Sequence, residues 1–394
     1  MEKIISGATL LLGENLAETR GYAVWMKNGF IHRVLPENSI PNGFPVENLG
    51  GAYLLPGLID LHVHIMWDGS PDPVNTHEKE TKEQMLIRSV ANAQLYLASG
   101  VTTIRDLGSI DDIALHVAAA ISEGIIDGPR IIASGKTITM TGGHDPFWAK
   151  FVDGKDAALK ATREQIYKNA QVVKVSATGG VYGRREGEKA ENSELSLEEL
   201  KVICDEAHRF GLKVASHAIG REGILNSIEA GVDTIEHGHY LDAEIVGKMV
   251  DKKVAWIPTL YIYQQIASLD GVPEYARGKA ENITNMHVSA FQKFFHSGIL
   301  IGAGSDAGAC FTPHPSIIEE MEKMSEYVDG NRDILKTATV NAGKILGLKV
   351  GQITEGYVAD FIVVPENPLN HLSALRQVQA VYINGIGGVN DEFE

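Results

Sequence analysis

The sequence predicts an α/β protein, a (β/α)8 TIM-type barrel carrying a small β-sandwich domain formed by both termini, and three observations carry that reading. From Leu54 onward, short apolar runs alternate with segments of helical period, the pattern of parallel strands joined by helices. The runs end in polar side chains, which is where barrels of this kind keep their reactive groups. Both ends of the chain, by contrast, read as hairpin strands. An open doubly wound sheet competes for the same runs, and the barrel is favoured.

Taken in order, residues 4–12 and 22–35 read as strands, the second broken by the hairpin turn Asn28-Gly29. The first barrel run passes through Pro56-Gly57 and ends at His62 and His64. Residues 101–107, 130–134 and 172–177 continue the series, followed by 213–218, 234–238, 254–260 and 299–305. One helix marks its own start: Ser196 and Glu199 form a capping-box pattern, and Leu200, Ile203, Ala207 and Phe210 recur at helical spacing. Gly211 supplies its stop. A helix over residues 336–346 closes the barrel, after which residues 357–364 and 378–383 are again strand-like, ending at Asn384-Gly385. The expected division is a composite β domain of residues 1–52 plus 350–394, and a barrel of residues 53–349.

Composition narrows the function. A length of 394 residues suffices for one large domain and a smaller one. A formal net charge of −16 repels phosphate backbones and anionic lipid, so neither nucleic acid nor a membrane is expected as a partner. Cys204 and Cys310 cannot form a disulfide framework, and the N-terminal residues lack a basic flank followed by a long apolar core. A cytoplasmic location is the expectation.

The chemistry collects at the ends of the apolar runs. His62 and His64 lie two apart on a strand and therefore project to the same side, about 6.6 Å apart along it. Lys174 lies within the fourth run, His217 ends the fifth, Glu236-His237-Gly238 the sixth and Gly304-Ser305-Asp306 the eighth. Singly, each is an ordinary barrel-end group; together they place four imidazoles, one carboxylate and one lysine at one rim. An ammonium among metal ligands is repelled, but a lysine of depressed pKa reacts with carbon dioxide to give an anionic carbamate. The expected site is binuclear: His62, His64 and Asp306 hold one divalent ion, His217 and His237 the other, and carbamylated Lys174 bridges them. Zinc is the first choice of metal. Two ions about 3.5–4 Å apart can activate one shared water as a bridging hydroxide.

The chain resembles the metal-dependent amidohydrolase superfamily over essentially its whole length. The resemblance rests on Pro56-Gly57-Leu58-Ile59-Asp60-Leu61-His62-Val63-His64, Gly100-Val101-Thr102-Thr103-Ile104-Arg105-Asp106, Val173-Lys174-Val175, Ser216-His217-Ala218, Ile235-Glu236-His237-Gly238, Gly304-Ser305-Asp306 and Gly356-Tyr357-Val358-Ala359-Asp360. Thr178-Gly179-Gly180 and Thr141-Gly142-Gly143-His144 are similar to a narrower group, the prolidase-like, imidazolonepropionase-related carboxydipeptidases. That resemblance implies that His144 and Tyr240 polarise the scissile carbonyl and hold the oxyanion. Arg184 and Arg185, in the loop after Lys174, are candidates for binding a substrate carboxylate in bidentate fashion, a solvated basic pair being the other reading. Here the chain departs from the group: the loop is charged, and Asp145-Pro146-Phe147-Trp148 follows His144.

The expected activity is cleavage of an amide bond in a dipeptide or N-acyl amino acid with a free carboxylate, with Asp306 as proton shuttle. A cyclic amide or a lactone is the alternative substrate, and a non-catalytic barrel serving binding or assembly is the remote alternative. Self-association into a homo-oligomer stays open.

Overall fold

The computed structural model describes residues 2–182 and 187–389. Among these residues the chain ends build two facing sheets. One has the strand order Phe30–Pro36, Tyr22–Lys27, Glu2–Ser6, Val46–Asn48. The other runs Ile386–Val389, Ala380–Ile383, Phe361–Val364, Tyr53–Pro56, Thr9–Leu12, Ala17–Thr19. Ile5, Val24 and Met26 from the first sheet meet Leu10, Leu54, Phe361 and Tyr382 from the second in a shared apolar core. Asn28 and Gly29, at φ 53° and 84°, make the tight hairpin expected of an Asn-Gly pair, and Asn384-Gly385 repeats it at φ 51° and 72°. Tyr53–Pro56, expected at the head of the barrel domain, lies instead in the sandwich between Phe361–Val364 and Thr9–Leu12. Its apolar run continues into the barrel only from Leu58.

The barrel is the expected ring of parallel strands, with two departures. Leu58–Val63, Val101–Asp106 and Arg130–Ala133 form one parallel arc. Thr137–Met140, Val172–Ser176, Lys213–Ala218, Thr234–His237 and Ala255–Ile257 form the other. The third run, Arg130–Ala133, pairs only backward; beyond Gly135, φ 68°, a further strand, Thr137–Met140, makes the forward pairing with Val172–Ser176. The eighth run is not a regular strand, yet it closes the ring. Trp256 N donates to Leu300 O at 2.9 Å, Leu61 N to Ala303 O at 3.0 Å, and Asp306 N to His62 O at 2.8 Å. Glycine permits that approach: a Cβ on Gly304 would lie 2.8 Å from His62 Cβ.

The capping box at Ser196 and Glu199 is present, and Leu200, Ile203 and Ala207 are buried, but Phe210 falls past the helix end and is half exposed. The expected closing helix is two, Asn331–Thr337 and Val340–Leu346. Among the described residues no helix is long and apolar enough to cross a membrane.

Candidate active site

The strand ends converge on a cavity of about 40 Å3. His62, His64, His144, Asp145, Lys174, His217, His237 and Asp306 line it, with Trp67, Tyr182, Ile262 and Tyr263 among its walls. That volume holds a few waters.

His62 and His64 are each held by their Nδ1 atoms, which leaves Nε2 for the cavity. His62 Nδ1 donates to Glu236 Oε2 at 2.9 Å and His64 Nδ1 to Gly108 O at 3.1 Å. Their Nε2 atoms lie 3.8 and 3.4 Å from Asp306 Oδ1. The three side chains can present one ligand atom each within 4.8 Å of one another, a donor set suited to one metal ion. Burial, helped by Lys174, draws the His62 pKa down to about 4, so its ring is neutral. Burial acts to raise Asp306, but His62, His64 and Lys174 outweigh it and hold the carboxyl at about 2.

His217 and His237 are oriented in the same manner. His217 Nε2 donates to Gly179 O at 3.0 Å. Thr259 Oγ1 donates to Pro258 O and so accepts from His237 Nδ1 at 2.7 Å. The remaining ring nitrogens, Nδ1 of His217 and Nε2 of His237, therefore carry lone pairs, and the two ring centroids are 4.6 Å apart. Burial pushes both imidazoles well below their usual pKa. Backbone strain helps to aim them: His237, Thr259 and Asp306 all adopt left-handed φ, at 69°, 51° and 57°.

Lys174 is 1% exposed and, among the described residues, has neither hydrogen-bond nor ion-pair partner. Burial lowers its pKa despite the nearby Glu236, Asp145 and Asp306. A buried cation without a partner is costly. A neutral amine, or an anionic derivative, suits the position better than an ammonium.

His144 differs from the other imidazoles. Its Nδ1 lies 2.7 Å from Glu188 Oε1 and its Nε2 3.1 Å from Asp145 Oδ1. Burial pulls its pKa down, but Asp145 and Glu188 outweigh it and lift it to about 9, so the ring is an imidazolium. Glu194 fixes the backbone beneath it, accepting His144 N at 2.7 Å.

Tyr240 is not brought to this cavity. It lines an outer groove with Arg221, Leu241 and Lys293. The consecutive left-handed residues His237 and Gly238, φ 69° and 64°, turn the chain outward at the strand end, and a Cβ on Gly238 would strike Trp256 Nε1 at 2.7 Å. Tyr263 stands at the wall instead. No periodicity could have found it, because it sits on the helix Leu260–Ser268 beyond the seventh strand. Arg184 and Arg185 lie outside the described residues. Glu236, which the motif contained without a role, is the brace of the site: Arg105 Nη2 donates to its Oε1 at 2.8 Å, opposite the His62 contact. The signal available was chemical, since an acid and an arginine on two otherwise apolar barrel strands must find each other.

Fold and site together define a hydrolytic metalloenzyme class, and comparison with known proteins identifies it: the chain belongs to the amidohydrolase family, whose model matches residues 53–386. The ochratoxinase of Aspergillus niger is 29% identical over 365 residues, spanning 83% of this chain and 73% of that enzyme. A solved Xaa-Pro dipeptidase with methionine bound in its active site superposes with a TM-score of 0.91 at 29% identity, covering 99% of this chain and 100% of that one. A solved prolidase in complex with N-methylphosphonate-L-proline gives 0.89 at 27% identity, with 99% and 100% coverage. Family membership makes the chain an enzyme and sets aside the non-catalytic barrel.

Proposed function

We propose that the chain hydrolyses the amide bond of a dipeptide or N-acyl amino acid bearing a free carboxylate. The observation that carries this reading is Lys174, buried and unpartnered amid four imidazoles and Asp306. In the proposed site His62, His64 and Asp306 would hold one divalent ion, and His217 and His237 a second. Lys174, once its amine nitrogen bonded the carbon of CO2 and lost a proton, would supply an anionic oxygen ligand to them. When bound, the ions, zinc in the first instance, supply Lewis acidity toward both water and the scissile carbonyl.

The chain's own groups do the rest. Asp306 turns Oδ1 toward His62 and His64, leaving Oδ2 to take a proton from the attacking water and hand it to the departing nitrogen. His144, held as an imidazolium between Glu188 and Asp145, sets positive charge beside the developing oxyanion or the substrate carboxylate. Tyr263 takes the place first assigned to Tyr240 as the phenol at the cavity wall; burial raises its pKa well above 10.0, which keeps it a donor. Tyr182 and Ile262 complete the cavity wall.

A panel of dipeptides, N-acyl amino acids, cyclic amides and lactones, offered to protein loaded with zinc and bicarbonate, tests the reading. Turnover confined to linear amides with a free carboxylate is expected. Turnover confined to cyclic amides or lactones would contradict the proposed substrate.

A further inference from the structure

The segment Asp145-Pro146-Phe147-Trp148 has a definite place in the structure. Trp148 is buried, donates from Nε1 to Thr137 Oγ1 at 3.0 Å, stacks on His64 with centroids 4.9 Å apart, and meets Trp67 edge-on at 4.5 Å. This anchor, with Trp148 N donating to Asp145 O at 3.4 Å, holds Asp145 in the left-handed region at φ 57°. A strained residue kept in place by its surroundings points to a use for its side chain. That side chain lines the same cavity as Lys174, His144 and Asp306.

Its carboxylate shares His144 with a second acid. His144 already has Glu188 as counter-ion, and Glu188 is itself secured by Gly180 N at 2.9 Å and Lys279 Nζ at 3.3 Å. Asp306 faces His62 and His64. Among the described residues the one side-chain contact shown for the Asp145 carboxylate is His144 Nε2, 3.1 Å from Oδ1. A carboxylate in a confined cavity seeks a cation.

Resting on the amide-hydrolase reading above, we infer that Asp145 receives the α-ammonium of the substrate's N-terminal residue, so that the preferred substrate is a dipeptide with a free amino end. Covalent geometry makes the position apt. The amino nitrogen of such a substrate lies only about 2.5 Å from the scissile carbonyl carbon, two bonds away. The group that binds it must therefore share a cavity with the groups acting on the carbonyl, as Asp145 does beside His144. An N-acyl substrate would set a CH2 or CH3 against the carboxylate and leave it desolvated, a mismatch that built polar sites reject strongly.

The test compares a dipeptide with its des-amino twin, propanoyl replacing alanyl on the same leaving amino acid, in zinc-loaded wild type and in Asp145→Asn. The wild type should favour the free amine in kcat/KM by about tenfold to a hundredfold, the worth of one charge-assisted hydrogen bond. In Asp145→Asn that ratio should collapse toward one. Wild-type hydrolysis of the twin at an equal or higher rate overturns the inference while leaving amide hydrolysis in place. A ratio preserved in the variant, with both substrates slowed alike, also overturns it and makes Asp145 a positioning residue for His144. Hydrolysis of neither compound overturns both readings.

Discussion

Replacing Glu236 by glutamine removes one negative charge from the barrel floor and leaves its volume unchanged. Glu236 is fully buried, takes Arg105 Nη2 at 2.8 Å and the Thr234 hydroxyl on Oε1, and takes His62 Nδ1 at 2.9 Å on Oε2. An amide accepts through one oxygen, so its NH2 group must confront one of these donors. Hydrogen bonds to charged groups are worth about 1.5–3 kcal/mol each, and breaking a buried ion pair costs about 3–5 kcal/mol. The pKa leads to a similar size. Burial would raise it, but Arg105 and His62 bring it from 4.5 to about 2, which corresponds to roughly 3 kcal/mol by linkage. Because the folded pKa is depressed, this stability is present above pH 4.5 and disappears as pH falls through about 2. Guanidinium unfolding at pH 7 should therefore show Glu236→Gln less stable by about 3 kcal/mol, the gap narrowing in acid. Zinc affinity should fall by about 10- to 100-fold, since the His62 ring loses the carboxylate that orients it. A variant within about 1 kcal/mol of wild type at pH 7, with zinc affinity intact, would refute the role given to this brace.

Other substitutions separate the remaining roles. Asp306→Asn should lower kcat by about 10²- to 10⁴-fold in steady-state assays of protein whose metal content matches wild type; near-normal turnover would remove Asp306 as the proton shuttle. His144 has a raised folded pKa, so its contribution is complete below pH 6.5 and is lost as pH rises through about 9. A kcat/KM profile should decline through that alkaline limb, and His144→Gln should flatten it. Tyr240→Phe should leave kcat/KM within about twofold, whereas Tyr263→Phe should reduce it by about tenfold or more, the effect of losing one preorganised donor. Equal effects of the two tyrosine changes would speak against Tyr263 at the wall.

The features that were legible in the chain are those that depend on short-range pattern. Alternation of side chains along a strand puts His62 and His64 on one side, and Gly or polar residues punctuate each barrel run. The Asn28-Gly29 and Asn384-Gly385 turns follow from left-handed φ at both positions. What escaped depends on tertiary approach. The eighth run cannot be told from a regular strand, because its irregularity comes from glycines that let it press against His62 and Leu61. Tyr53–Pro56 reads as barrel because nothing local distinguishes an apolar strand of one sheet from that of another. Tyr240 and Tyr263 exchange places through the left-handed His237 and Gly238, a turn that leaves no periodic trace. Asp145 and Glu188 matter through a histidine brought between them by loops, a relation invisible to spacing.

The proposed bridging of two metal ions by a carbamylated Lys174 can be read directly. Wild-type protein stripped of metal, then loaded with zinc and carbon-13-labelled bicarbonate, should retain about two zinc ions per chain and show a carbamate carbon signal, both lost in Lys174→Ala. Two ions retained by Lys174→Ala, or a wild type that binds both without any carbamate signal, would contradict the bridging role of Lys174.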